Sequence, residues 1–422
     1  MISFYIQSFG CRVNQAEAFA WTTELQENGL YYERDYFKSE LVIVNSCTVT
    51  SRADRDVRKF VRRLLRLNPR ARIIVTGCYV ERALQEWQKW PQLWRVYSNH
   101  HKQRIIPDIL SSLKAAEVQK GGNYRARALV KIQDGCNYAC TFCIVPQVRG
   151  KSLSFKKEKI LTQIRKLLSQ GFREIVLTGI HICYYGLDLY PPSSLLELLK
   201  EVERLEGLGR IRLSSLDPRL LPSPLIEHLA HSEKICPHFH LSLQSGSDRI
   251  LARMGRKIKV ENYQEIIFYL RQKLPQASLG ADIIAGFPGE SEEDFVQTCH
   301  FLENSALTYF HVFSYSPRPG TPAASWPQIS ERRKKERTDY LRRLSAKKNF
   351  EFRCLFLGEE LDGVIIKKSK EETHLLTSNY IKVLAQPCPQ PEGEVVRVKI
   401  TDVNFRQTRG KIIFPAISGS SY

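Results

Sequence analysis

Cys136-Asn-Tyr-Ala-Cys140-Thr-Phe-Cys143 sets three thiols within eight residues, separated by three and then two positions. The β-rich run Ala128-Leu-Val-Lys-Ile-Gln133 precedes it, so the triplet is predicted to occupy a loop at the end of a strand. Thiolates are the usual protein ligands of iron–sulfur clusters, and one loop with this spacing reaches three irons of a cubane. No fourth cysteine follows nearby, which leaves one iron with an open coordination position. An open iron points to reaction with a ligand rather than to electron storage alone. The competing reading is a zinc knuckle with a distant fourth ligand, but structural zinc generally pairs two close-set ligand couples.

Outward from that loop, strand-like and helix-like stretches alternate from Arg127 to about Pro317. Strands are predicted over 128–133, 174–178, 210–214, 238–243, 279–285 and 309–314, with helices between them over 157–170, 194–205, 260–274 and 292–304. Six such units in about 190 residues favour a partial (βα)6 barrel over the closed eight-unit form, which takes ~250. Chemistry belongs at the carboxyl ends of such strands, where the cysteine loop lies. The other strand ends are rich in glycine, hydroxyl and carboxylate groups suited to ribose and amino-acid moieties. They supply Thr178, Gly179, Ser214, Gln244, Asp282 and Gly286 as a candidate cofactor rim.

Upstream, three short β-rich runs each lead to one cysteine. Ser3-Phe-Tyr-Ile-Gln7 precedes Cys11, Leu41-Val-Ile-Val44 precedes Cys47, and Arg72-Ile-Ile-Val-Thr76 precedes Cys78. In an open parallel α/β sheet the loops after the strands converge on one crevice. Cys11, Cys47 and Cys78 would therefore meet as a second metal or cluster site; otherwise they are three core thiols of a nucleotide-binding-like domain. The helix predicted over 52–67 carries Val57, Phe60, Val61, Leu64 and Leu65 on one face. Arg55, Arg58, Lys59, Arg62, Arg63 and Arg66 fall on the other, either solvated or contacting phosphate. Residues 107–124 read as a linker. A charged helix over 326–353 and five short strands from about residue 361 onward complete the chain, the latter as a small β-barrel.

The 422 residues carry a formal net charge of +19 and eleven cysteines. The charge points to a polyanionic partner, RNA first. No run approaches the ~20 apolar residues of a membrane span, and the amino terminus lacks signal-peptide features, so a cytoplasmic protein is expected. Eleven thiols in that compartment suggest metal or catalytic roles rather than disulfides. Cys183, Cys236, Cys299, Cys354 and Cys388 show no ligand spacing and read as packed or incidental thiols.

Taken together, the Cys136 triplet, Thr178-Gly179 and Asp282–Glu290 resemble motifs of radical S-adenosylmethionine enzymes. With Phe9-Gly-Cys-Arg-Val-Asn-Gln15, Asn45-Ser-Cys-Thr-Val-Thr50 and His311-Val-Phe-Ser-Tyr-Ser-Pro-Arg-Pro-Gly-Thr-Pro322, the whole chain resembles the methylthiotransferase family. The branch it resembles best acts on N6-threonylcarbamoyladenosine at tRNA position 37; the isopentenyladenosine and ribosomal-protein branches are alternatives. The resemblance implies an α/β architecture in three domains: 1–120 around an auxiliary cluster, 121–350 as the radical core, and 351–422 as an RNA-binding TRAM-like barrel. It implies two [4Fe–4S] clusters, one on Cys136, Cys140 and Cys143 and one on Cys11, Cys47 and Cys78. S-adenosylmethionine would serve as radical source and methyl donor, yielding a 5′-deoxyadenosyl radical for attack on C2 of adenine. The implied partners are a tRNA anticodon stem-loop, an electron donor and a sulfur donor, with no membrane and no DNA. Binding to tRNA would weaken with salt at a log–log slope of about −0.7 to −0.9 per phosphate neutralised. A noncatalytic iron–sulfur RNA-binding protein is the rival from another class.

Overall fold

The strands that lead to the three upstream cysteines lie side by side. In the computed structural model, which describes residues 2–113 and 126–413, a parallel sheet runs in the order Tyr31–Tyr32, Ser3–Ser8, Leu41–Ser46, Arg72–Gly77, Arg95–Val96. Ser8 pairs with Asn45, and Ser46 with Gly77, so the three central strands end in register. Leu41–Ser46 is buried along its whole length, as expected of a central parallel strand covered on both faces. The basic helix Ser51–Leu67 starts where the Thr50 hydroxyl accepts from the Ala53 amide, and Val57, Val61 and Leu64 bury its apolar stripe. Residues 107–112 of the expected linker instead belong to the helix Ile105–Ser112, whose Ile105, Ile106 and Ile109 pack into the core of this unit. Residues 114–124 of that linker, and with them the 120/121 boundary, lie outside the described residues.

The central strands form two parallel triplets. One runs Arg210–Leu213, Glu174–Thr178, Ala128–Lys131, and the other His238–His240, Ser278–Ala285, Tyr309–Ser314. Parallel bridges Ile211–Ile235 and Leu216–Leu241 join them into one six-stranded curve. Among the described residues no pairing closes Ala128–Lys131 onto Tyr309–Ser314, so the barrel stays open on one side. The helix Arg12–Glu27 lies at that opening and serves two cores. Ala18, Trp21 and Leu25 pack into the upstream unit, whereas Ala16 and Phe19 join the core of the barrel.

The terminal strands close into a five-stranded barrel, with Glu360–Lys368, Thr373–Thr377, Lys382–Ala385, Thr408–Ile413 and Val395–Val403 in spatial order. Phe352 and Phe356 at the end of the helix Glu331–Cys354 and just beyond it plug its core. Most charges on that helix are spent locally. Arg332 pairs with Glu336, Arg342 with Asp339 and Lys347 with Glu351, while the buried Arg337 reaches Glu290 and Glu292.

A second buried ion cluster fastens the terminal barrel to the central one. Glu174, fully buried, receives Arg210 Nε at 2.7 Å and Arg212 Nε at 2.9 Å, with Arg127 at 3.4 Å. The same arginines donate onward to the terminal barrel's carbonyls, Arg210 to Leu376 and Arg212 to Thr377 and Ser378. Burial alone would raise the Glu174 carboxyl, but the Arg212 and Arg210 charges overcome this and hold it at about 2. A depressed carboxylate stabilises the fold above its ordinary value and loses that contribution as pH falls through the folded one. Glu174→Gln should therefore cost about 3 kcal/mol near neutrality. Denaturant midpoints of the two proteins should converge between about pH 4.5 and 2 and stay apart above it.

Candidate active site

Both cysteine triplets sit at strand ends, and the two loops meet where Cys78 packs beside Ile144. Cys11 precedes the first turn of the helix Arg12–Glu27, Cys47 follows Leu41–Ser46, and Cys78 opens the helix Cys78–Arg82. Gly10 lies at φ +83°, and a Cβ there would come within 2.3 Å of the Cys47 sulfur. Only glycine lets the Cys11 loop close over that thiol, and Gly10 directly before Cys11 was the sequence signal for it. Cys136, Cys140 and Cys143 form the loop between residues 133–134 and the helix Val145–Arg149. Cys78 packs directly against Ile144 and Val148, the first of which adjoins Cys143.

A polar network lies beneath this contact. Arg149 Nε donates to Cys78 Sγ at 3.2 Å, while its Nη1 reaches Asp134 Oδ1 at 2.8 Å and Glu17 Oε1 at 3.1 Å. Glu17 also receives Lys102 at 2.6 Å and Lys131 at 2.9 Å. Asn14 holds the carbonyls of Phe9 and Ser46, which accounts for an asparagine three residues after Cys11. Three cations against the two carboxylates Glu17 and Asp134 leave one positive charge beside the upstream thiols. Burial and neighbouring thiols push Cys47 up to about 12; burial chiefly does the same to Cys143. Sulfur atoms crowded this way ionise together only with a cation among them.

The predicted rim residues lie in the carboxyl-terminal halves of the barrel strands and in the loops after them. Thr178 ends one strand and Gly179 follows it, Ser214 follows the next, and Gln244 lies at φ +90° beside Ile283. Such strain in a non-glycine residue is typical of a functional site. Gly179 leaves room for Gln133 Oε1 and Ile182, and Gly286 for the stem of Lys334. Asp282 faces the barrel interior between His240 at 3.0 Å and His311 at 3.4 Å, a trio that spacing could not reveal because each comes from a different strand. Sequence reasoning also missed Asp217, which accepts from Arg219 at 2.5 Å, His181 at 3.0 Å and Arg256 at 3.1 Å. The Arg219 guanidinium lies 3.9 Å over the Tyr138 ring, inside the cysteine loop.

The six cations of the helix Ser51–Leu67 line one groove of about 710 Å³. Arg58, Arg62 and Arg63 lie over Tyr79, Trp90 and Phe37, and none of the six has a carboxylate partner among the described residues. A second basic cleft, of about 570 Å³, includes Arg342, Lys382 and Arg406 with Tyr309 and Tyr380.

The Radical SAM superfamily model matches residues 130–302, and that of Uncharacterized protein family UPF0004 matches residues 3–96. Threonylcarbamoyladenosine tRNA methylthiotransferase MtaB of Aquifex aeolicus is 38% identical over 93% of this chain and 99% of its own length. The protein of the same name from Bacillus subtilis is 34% identical over 98% of this chain and 97% of its own. The chain belongs to the radical S-adenosylmethionine methylthiotransferase family. The tRNA-2-methylthio-N(6)-dimethylallyladenosine synthase of Desulfitobacterium hafniense is a relative at 34% identity over 94% of each chain. Among solved structures, the radical S-adenosylmethionine methyltransferase TsrM of Kitasatospora setae shares the fold. It matches with a TM-score of 0.54 at 14% identity, over 76% of this chain and 77% of its own.

A methylthiotransferase of this family uses two [4Fe–4S] clusters and S-adenosylmethionine, and the residues present fit those groups. Each triplet offers three thiols with an unfilled fourth position. Around the Cys136 loop, Thr178 Oγ1, His181 Nδ1, Ser214 Oγ, Arg219 Nη1 and Arg256 Nε are buried without a hydrogen-bond partner among the described residues. Buried polar atoms are almost always satisfied, so this set suits a polar ligand bearing carboxylate, amine and hydroxyl groups. Anaerobically reconstituted Cys47→Ala and Cys143→Ala should each retain about four irons of about eight. Loss of all iron from either variant would contradict two independently held clusters.

Proposed function

We propose that this protein attaches a methylthio group to C2 of N6-threonylcarbamoyladenosine at position 37 of tRNA, next to the anticodon. The observation that carries the reading is the packing of Cys78 against Ile144, which brings the two cysteine triplets together at the mouth of one polar-lined barrel. One set alone serves many radical reactions; two adjoining sets suit the transfer of sulfur to a carbon that has been made reactive in place. The names of two relatives that match over nearly the full chain support the threonylcarbamoyl substrate. Part of the proposal is a division into three domains near residues 120 and 350.

On this reading Cys136, Cys140 and Cys143 would hold the radical-generating cluster, and Cys11, Cys47 and Cys78 the auxiliary one. When bound, the first cluster with S-adenosylmethionine supplies a radical able to attack a carbon with no acidic proton and no leaving group, and the second supplies sulfur. Thr178, Ser214, His181, Arg219 and Arg256 would hold the cofactor's polar groups through the atoms they leave unpaired. Asp217 fixes the two guanidinium groups in place, so their orientation is set before the cofactor arrives. Ile144 and Val148 cover Cys78 and keep water from it, while Arg149 supplies balancing charge. The six cations of the helix Ser51–Leu67 would follow RNA phosphates, as would Arg342, Lys382 and Arg406 of the second basic cleft. An electron donor and a sulfur donor complete the set of partners.

Nucleoside profiling of tRNA from a strain lacking this protein tests the reading. It should show 2-methylthio-N6-threonylcarbamoyladenosine lost and its unmethylthiolated precursor raised. Unchanged methylthiolated nucleosides would sink the proposal, and selective loss of the isopentenyl derivative would move the protein to the other tRNA branch.

A further inference from the structure

The floor of the central barrel carries more positive charge than the described residues balance. Arg127, Arg210 and Arg212 share the single carboxylate of Glu174. A fourth guanidinium, Arg12, reaches the same floor from the residue after Cys11 and has no carboxylate partner among the described residues. Its one hydrogen bond runs from Nη2 to the Tyr380 hydroxyl at 2.5 Å.

Tyr380 is brought there by the terminal barrel and is held in a costly conformation. Its φ is +71°, in the left-handed region that a bulky residue avoids. The turn that carries it is pinned by Thr377, which accepts the Tyr380 amide at 3.0 Å, and by Asn379, which donates to the Gln276 carbonyl at 3.3 Å. The ring stacks on His238 at 4.0 Å and lies under Arg212 at 5.3 Å. His238 in turn meets the Tyr309 hydroxyl at 2.8 Å. Burial first, then the nearby Arg212 and Arg12 charges among others, hold His238 well below its usual value, so it adds no charge of its own. Above this layer lie His240, Asp282 and the cofactor rim.

The arrangement is asymmetric in a way that bears on substrate choice. Arg12 adjoins Cys11, so the unpaired cation sits close to where sulfur is supplied, but it points down the barrel toward Tyr380. C2 and N6 are separate positions of the purine ring, so a base held with C2 at the cysteines carries its N6 substituent along the barrel wall. A threonylcarbamoyl substituent ends in a carboxylate; a dimethylallyl one is a hydrocarbon. Arg12 is half-buried and already ordered by Tyr380, and a carboxylate is the best-matched partner for such a guanidinium.

We propose that Arg12 is the specificity-determining residue that binds the carboxylate of the N6-threonylcarbamoyl group, with Tyr380 of the terminal barrel holding its guanidinium in place. The proposal rests on the threonylcarbamoyladenosine reading above and deepens it. The terminal barrel then contributes a positioning residue to the active site.

The test uses holoenzyme with both clusters reconstituted and anticodon stem-loops carrying N6-threonylcarbamoyladenosine, its neutral methyl ester, or N6-dimethylallyladenosine. Binding by fluorescence anisotropy and single-turnover methylthiolation are both read. The unaltered protein should favour the free acid over the ester by about 10- to 100-fold in binding, the range of a charge-assisted hydrogen bond. Arg12→Met should bring that ratio to about one by weakening the acid and leaving the ester unchanged. Arg12→Lys should restore part of the preference, and Tyr380→Phe should reduce it without abolishing it. Equal binding of acid and ester by the unaltered protein overturns the proposal whatever the variants do. So does an equal loss toward acid and ester in Arg12→Met, which would assign Arg12 to RNA phosphate or to the fold. If the unaltered protein methylthiolates only the dimethylallyl stem-loop, the substrate reading itself falls; if it modifies acid and ester alike, only the carboxylate subsite does.

Discussion

The buried carboxylate of Glu17 is the point on which the two halves of the site turn. It belongs to the upstream unit, yet it binds Lys131 and Arg149 of the central barrel together with Lys102 of its own. A buried network of this kind is worth having only if every member is satisfied, because a half-paired charge in a low dielectric is expensive. That demand fixes how the helix Arg12–Glu27 lies across the open side of the barrel. Once it does, Arg149 meets Cys78, and Cys78 meets Ile144 beside Cys143. The proximity of the two thiol sets is thus a consequence of ion pairing at an interface rather than of either cysteine motif alone.

The same device recurs at the other contacts between units. Arg318 donates to Asp54 at 2.8 Å and to the Thr48 carbonyl at 3.1 Å, binding the loop after the last barrel strand to the upstream unit just beyond Cys47. Arg210 and Arg212 bind the carbonyls of the terminal barrel while pairing with Glu174. Arginine suits this work because its planar fork can satisfy a carboxylate and a carbonyl at once. A share of the chain's strong positive charge is therefore internal. Arg149, Arg210, Arg212, Arg256, Arg318 and Arg337 are all buried, so less of the charge faces solvent than the sequence count suggests.

Much of this was legible in the residues. The upstream, central and terminal strands were found from β-rich runs because buried parallel strands and short barrel strands both leave compact local signals, and the cysteines after them marked the ends of three adjacent strands. What escaped were the contacts between units. Glu17 and Arg149 are 132 residues apart, and Arg12 and Tyr380 are 368 apart. No period or spacing joins such residues, since each pairing is set by the docking of finished units. Residues 107–112 read as linker because the helix Ile105–Ser112, at eight residues, gives little more than two turns of pattern. Asp217 followed a strand end in plain view, but a lone carboxylate gives no hint that two arginines and a histidine will converge on it.

The central claim is that the two thiol sets lie against each other across one interface within a single chain. Electron paramagnetic resonance of the reduced holoenzyme tests it directly, with Cys47→Ala and Cys143→Ala supplying the spectrum of each cluster alone. The account predicts that the doubly loaded protein departs from the sum of the two spectra, through magnetic interaction that broadens the signals and speeds their relaxation. A spectrum equal to the plain sum, with unchanged relaxation, would mean that the clusters are far apart and would contradict it.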